Sequence, residues 1–288
     1  MARRTSSLTK ILKGTSDDTE KKFSISDEIN KACAGGITAV GAFSIIGIKR
    51  QLKAMLSELE KGDFNRDNFF SEFNTLYSLV MAPDKRAKGV FHPSQLLDGC
   101  SRQMAFDLLN TEPSDEIKRS IGGALQRVFD VGTWYHIYMQ NILYRLGYLK
   151  AAEVPVVNKE KYLNGKADGV FKKEVFGEEV VLEIKTMNNW NFSKAIFKPF
   201  KKHEFQASLY ARELGIKKVL YLYINKDTSE IRDFLMPINE EQLELADKKM
   251  NKIISHVKEK TLPRRSCSDK FCDAAIVCPF ATLCFKSE

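Results

Sequence analysis

Apolar residues along this chain follow two periods, and the period changes part-way. In "SIIGIKRQLKAMLSELEKG" they recur every third or fourth position up to Gly62, and "RDNFFSEFNTLYSLVMA" repeats that spacing before Pro83. This pattern lines one face of a helix, so two amphipathic helices are expected. Residues 1–30 are polar and rich in Ser, Thr and Lys, which predicts a flexible arm. A helical segment over 31–85 would follow, ending near "APDKRAKG", and a larger domain would span 86–288. "HPSQLLDGCSRQMAFDLLN" opens that domain as an expected helix with Ser94 as its cap. A second helix is expected over Gly132–Leu146.

The period then shortens to two. "YLKAAEVPVVN", "YLNGKADGVFKKE" and "EEVVLEIKTMN" read as strands, and "FKKHEFQASLYARELG" as a helix closed by Gly215. "KKVLYLYINKDTSEIRDFLMPIN" reads as two strands around a polar turn, and Glu240–Lys258 as a last amphipathic helix. This order predicts an α/β fold, a mixed sheet with helices packed on it.

One strand breaks its own pattern. "EEVVLEIKTMN" reads as buried except at Glu183 and Lys185. Side chains alternate across a strand, so these two charges share one face while Leu182 and Ile184 share the other. An edge strand with a solvated face would account for them. So would a site. Asp168, in "GKADGVF", lies on the preceding strand, and strands joined by a short connection usually pair. Two carboxylates held together repel unless a cation sits between them, and a hard divalent ion takes such oxygen ligands.

Composition adds a partner. The chain has 288 residues, 43% of them hydrophobic, and a net charge of +8 with a pI near 9.0. That surplus favours polyanions, nucleic acid first and acidic membrane second. No secretory leader is evident, and the most apolar run, "AGGITAVGAFSIIGI", is shorter than the ~20 residues that span a bilayer. A cytoplasmic protein is therefore expected, with no membrane partner. Four of the six cysteines fall in the last 22 residues, and without a leader such clustering favours metal over disulfides. Cys33, in an apolar stretch, is expected to be a small buried hydrophobe.

Asp168, fourteen residues, Glu183, one residue and Lys185 form a D…ExK pattern over a hairpin. In this the chain resembles the PD-(D/E)xK nucleases, whose restriction-endonuclease-like αβββαβ core has the element order read above. Ala167 stands where the strict motif has proline, but "GxxDG" is the form usual in the RecB-like branch. "GTWYHIYMQNIL" resembles the helix that precedes that branch's core and supplies a metal-binding histidine, here His136. "HEFQASLYAREL" resembles its QxxxY helix, giving Gln206 and Tyr210, four apart on one helix face. The resemblance implies Mg²⁺ or Mn²⁺ held by His136, Asp168, Glu183 and the Ile184 carbonyl. It implies catalysis by Asp168, Glu183 and Lys185, and substrate contacts from Gln206 and Tyr210.

The tail "RRSCSDKFCDAAIVCPFATLCFKSE" resembles that of the iron–sulfur subset of this branch, which includes the AddB nuclease domain and CRISPR-associated RecB-like exonucleases. There one upstream cysteine and three C-terminal ones hold a 4Fe–4S cluster. Cys100, Cys278 and Cys284 match three of these positions. The usual spacing puts the fourth where this chain has Ala275, so Cys272 or Cys267 must serve, and zinc remains an alternative. The implied function is a metal-dependent deoxyribonuclease acting on DNA ends or single strands. It would work in recombination, repair or CRISPR-type processing, alone, as a homo-oligomer or with a recombination-complex partner. A non-catalytic iron–sulfur DNA-binding subunit is the alternative.

Overall fold

The structure, a computed structural model, describes residues 23–34, 45–81, 87–115 and 123–286. In chain order the helices before the sheet are α1 (Ile25–Ala34), α2 (Ile45–Leu59), α3 (Arg66–Met81), α4 (Pro93–Leu96), α5 (Ser101–Leu108) and α6 (Gly123–Arg145). Strands β1 (Leu149–Asn158) and β2 (Leu163–Phe171), the turn of helix α7 (Lys173–Phe176) and strand β3 (Val180–Met187) come next. After them run α8 (Asn189–Lys194), α9 (Lys201–Glu213), β4 (Lys218–Asn225), β5 (Ile231–Pro237), α10 (Glu240–Lys258), α11 (Asp273–Ile276) and α12 (Ala281–Lys286).

The five strands form one sheet in sequence order. β1 and β2, β2 and β3, and β4 and β5 pair antiparallel, whereas β3 and β4 pair parallel. A parallel neighbour needs a crossover, and α8 and α9 provide it. The expected αβββαβ order and mixed sheet are therefore those of the molecule. Both faces are covered. Ile25 and Ile29 of α1 and Met139, Ile142 and Leu143 of α6 pack on Leu182, Ile184, Leu220 and Leu222. On the other face, Phe205 and Leu209 of α9 and Leu243 and Met250 of α10 pack on Val181, Val219, Tyr221 and Tyr223. A sheet buried on both sides reads as continuous apolar runs, which "VVLEI" and "VLYLYI" are apart from Glu183.

Three expectations are corrected. Residues 25–30, expected in a flexible arm, are helical, with Ile25 and Ile29 fully buried. The cap after residue 91 is His92, with Pro93 at the first helical position and Ser94 inside the turn. Proline's fixed φ suits that position. The helix there also breaks, and a second one starts after Cys100. Finally, α6 begins at Gly123 rather than Gly132. A glycine inside a helix costs only about 1 kcal/mol and does not end it. Most of the apolar run 34–48 and the Cys33 side chain lie outside the described residues. Among the described residues no helix is long and apolar enough to cross a membrane.

α1 is anchored by an acid from the far side of the sequence. The Asp233 carboxylate on β5 accepts hydrogen bonds from Ile25 N at 3.2 Å, Ser26 N at 3.4 Å and the Ser24 and Ser26 hydroxyls. It thus caps the first turn of α1 from another element, as a cap residue would from within. Asp233→Ala is expected to destabilise this corner by about 1–2 kcal/mol. Amide exchange over residues 25–34 should accelerate while the central strands keep their protection.

Candidate active site

The carboxylates meet where β2 and β3 part. The ladder between these strands runs only from Phe171↔Val180 to Gly169↔Leu182. One residue further, the Asp168 side chain does what a backbone carbonyl would have done: its Oδ2 accepts the Ile184 N–H at 2.6 Å. Its other oxygen, Oδ1, lies 3.2 Å from His136 Nδ1 on α6. Glu183 and Lys185 share a face, as their spacing requires, and are ion-paired there through Glu183 Oε1. Glu183 is 1% exposed, and its Oε2 is buried without a hydrogen-bond partner.

That burial sets the electrostatics. It pushes the Glu183 carboxyl up to about 7, helped by the Asp168 charge and opposed by Lys185. Burial also works against the Asp168 charge, but His136, Lys185 and the Ile184 N–H outweigh it and hold that carboxyl below its ordinary value. His136 and Lys185 are both raised: burial opposes their charges, and the carboxylates beside them prevail. The site thus balances two acids against two bases, with Glu183 the least satisfied member.

Two residues not singled out by the sequence reading complete the cluster. Gln140, one turn after His136, donates its Nε2 to the Asp168 carbonyl at 2.9 Å and to Glu153 Oε1 at 2.8 Å. Glu153 in turn meets Lys166 Nζ at 3.2 Å. Glu153 has φ +51°, a left-handed conformation unfavourable outside glycine. Local strain of this kind clusters at functional sites. The i, i+4 spacing from His136 is the sequence signal for Gln140. Glu153 gave only the polar interruption in "AAEVP".

Gln206 and Tyr210 fall on one face of α9, with Gln206 Nε2 3.4 Å from the Tyr210 hydroxyl. Tyr210 is nearly buried, and its ring lies over Gly165, where an added Cβ would come within 2.6 Å of it. Burial, then the Glu183 and Asp168 charges, raise its phenol, so the hydroxyl lies within electrostatic reach of both acids. Tyr210 is therefore packed against β2, with its hydroxyl beside Gln206. The first glycine of "GKADG" is the space it needs.

The cysteines gather elsewhere. Cys100, Cys267, Cys278 and Cys284 line one cavity of about 400 Å³ between the start of α5 and the tail. Cys272 is not in that lining; it stands at the start of α11, beside the Cys267 thiol. Burial and then Cys272 push the Cys267 thiol up to about 11, and burial followed by the neighbouring thiols raises Cys278. Direct contacts tie the tail back to the start of the domain. Asp115 accepts the Thr282 N–H at 2.7 Å, Ser114 Oγ accepts Leu283 N–H at 3.1 Å, and Phe106 stacks against Phe280 with centroids 5.1 Å apart.

Among the described residues, no three His, Cys, Asp or Glu side chains are arranged to hold a metal ion. At the carboxylates the reason is visible: Asp168 is turned to His136 and Ile184, and Glu183 to Lys185. The donor types fit a hard divalent cation, and the orphaned Glu183 oxygen is the observation that favours one. Sulfur is the donor type that suits a soft metal, which would bind these groups as thiolates.

No family model and no curated protein matches this chain. Solved structures do. An alkaline exonuclease, LHK-Exo from Laribacter hongkongensis, is similar at 11% identity, with 60% of this chain covering 89% of that one and a TM-score of 0.43. Its complex with dAMP is similar at 14% identity over the same shares, with a TM-score of 0.45. SSO0001 is similar at 17% identity over 84% of this chain and 96% of that one, with a TM-score of 0.42. The chemistry of the site rests on its own residues.

Glu183 gives the site a pH dependence. Its carboxyl is raised from 4.5 to about 7, so folding favours the protonated form, and its stabilising contribution is lost as pH rises from 4.5 through 7. In chelator, Glu183→Gln should flatten the fall of stability across that window by on the order of 3 kcal/mol. Thermal melts of both proteins between pH 4.5 and 8 measure it, and parallel slopes would contradict the assignment.

Proposed function

We propose that this protein is a Mg²⁺- or Mn²⁺-dependent deoxyribonuclease that hydrolyses phosphodiester bonds at DNA ends or in single strands. The observation that carries this reading is the convergence of His136, Asp168, Glu183 and Lys185 where β2 and β3 part, with one Glu183 oxygen buried and unpaired. Asp168, Glu183, His136 and the Ile184 carbonyl are the donors that would hold the ion. When bound, it would polarise the phosphodiester and make water more acidic.

The protein's own groups account for the remainder. Lys185, held beside Glu183, supplies a fixed positive charge where negative charge grows at phosphorus and orients the attacking water. Water adds hydroxide to phosphorus as the ester P–O bond breaks, and the leaving oxygen takes up the proton. His136 keeps Asp168 in place, Gln140 fixes the backbone beneath it, and Gln206, beside Tyr210, contacts the strand. The positive surplus binds phosphates, so affinity should fall steeply with salt.

We further propose that Cys100, Cys278 and Cys284, with Cys267 or Cys272, hold a structural 4Fe–4S cluster. The cavity shared by Cys100, Cys267, Cys278 and Cys284 supports this and favours Cys267 as the fourth ligand. The wider assignment is to recombination, repair or CRISPR-type DNA processing.

Incubation with labelled single- and double-stranded DNA and Mg²⁺ or Mn²⁺ tests the first proposal. Glu183→Gln and Lys185→Ala should each lower cleavage by about 10²-fold or more, and His136→Ala by about 10–100-fold through weaker metal binding. Wild-type protein that cuts neither substrate would rule the reading out. For the thiols, protein purified without oxygen should be brown with thiolate-to-iron absorption. Cys284→Ser should bleach it and expose the tail to protease, whereas a colourless, zinc-loaded protein would reject iron.

A further inference from the structure

The segment from the end of β3 into the first turn of α9 combines basic residues with exposed apolar side chains. From Thr186 to His203 it holds four lysines, Lys194, Lys198, Lys201 and Lys202, and no acidic residue, in a chain that carries 37 acidic residues overall. Between these lysines stand large apolar side chains that point outward: Trp190 is 68% exposed, Ile196 55% and Phe197 89%. All four lysines are exposed as well.

Exposure of this kind usually marks a loose loop, but this segment is pinned at four points. The Asn188 side chain caps α8 by accepting Asn191 N–H at 3.0 Å. Asn189 N–H donates to Asp227 at 2.7 Å, and Asn189 Oδ1 accepts from Asn225 at 2.9 Å. Arg232 lies 4.3 Å from the Phe192 ring centroid and donates to the Phe192 and Ala195 carbonyls. Phe200 N–H donates to the Tyr223 hydroxyl at 2.8 Å. Phe192 and Ala195 are buried by these contacts, while Phe197 is held in solvent and Trp190 stays largely exposed with Lys194 Nζ 4.3 Å from its ring centroid. Keeping aromatic rings wet contributes nothing to the core, so their placement points to a ligand.

The platform follows directly on the strand that carries Glu183 and Lys185. Trp190 is five residues after Lys185, at most about 17 Å of chain. A cavity of about 310 Å³ that starts at Thr186 and Met187 is lined also by Asn191, Phe200, Lys202 and His203. Burial and then the Lys185 charge depress His203, which places this cavity within the field of the catalytic lysine.

We infer that residues 188–202 form a platform for single-stranded DNA, with Trp190 and Phe197 stacking unpaired bases and Lys194, Lys198, Lys201 and Lys202 holding their phosphates. Interleaved rings and cations fit a single strand, which offers both a face and a charge at each nucleotide. A duplex conceals its base faces and would engage only the lysines. This inference rests on the nuclease reading for its substrate and goes beyond it in naming the strand form and the residues that select it.

Binding of labelled oligo(dT) and of a blunt hairpin duplex, measured by anisotropy in the Glu183→Gln protein, tests it. Adding Trp190→Ala and Phe197→Ala together should weaken oligo(dT) binding about 10- to 100-fold and duplex binding less than about twofold. Trp190→Phe should retain most of the affinity. Both rings are solvent-exposed, so melting temperatures should match. Unchanged oligo(dT) affinity, or an equal loss on both substrates, overturns the platform. Cleavage by the wild-type protein is scored in parallel. Ring-dependent binding without cleavage would overturn the nuclease reading and keep the platform, and cleavage without ring-dependent binding would do the reverse.

Discussion

The bond from the Ile184 N–H to the Asp168 carboxylate is the contact on which the site depends. A sheet that continued its ladder past Gly169 would bury this N–H against a backbone carbonyl and leave no opening. With a carboxylate as the acceptor, the N–H stays satisfied while the two strands separate. The same bond turns Asp168 toward α6, so that His136 and Gln140 can reach it. A buried donor has to be paired, and here the pairing that meets this requirement also builds a cleft.

The rest of the architecture holds that cleft still. Leu182 and Ile184 are locked into the layer made by α1 and α6, which leaves Glu183 and Lys185 no freedom to rotate away. On the opposite layer, Tyr210 presses against β2 through the gap at Gly165. Between these layers Glu183 carries a charge that its surroundings do not fully support. Such a group either takes a proton or finds a cation, and its proximity to Lys185 gives it a provisional partner.

Much of this was legible in the sequence, and the exceptions have a common cause. Strand and helix periods are local properties, so the order of the strands and of the long helices α9 and α10 followed from them, whereas the short α7 and α8 did not. The pair Glu183 and Lys185 stood out because charges interrupted an apolar run. The reading failed where tertiary partners override local preference. Ile25 and Ile29 lie in a polar stretch, and the cap from Asp233, over 200 residues away, adds to a local one in which the Ser24 hydroxyl accepts the Asp27 N–H at 3.3 Å. Ser94 is a favoured cap residue, yet Pro93 moves the start of the turn by its ring. Glu153 was missed because its left-handed backbone leaves no mark on composition. The four tail thiols stood out by their density and Cys100 was added only by the family resemblance; which four share a cavity depends on how the tail folds back.

That return of the tail also sets an order of events. Asp115 and Thr282 are 167 residues apart, with the whole sheet between them. Closing so long a loop costs little more entropy than closing a moderate one, but such a contact forms late. The sheet and its acidic cleft can assemble from local and near-neighbour pairings, whereas the thiol corner has to wait for the last residues to arrive. A nascent chain therefore passes through a stage in which its cleft is shaped and its thiols are still apart. The corner that carries the thiols is then the last to be sheltered.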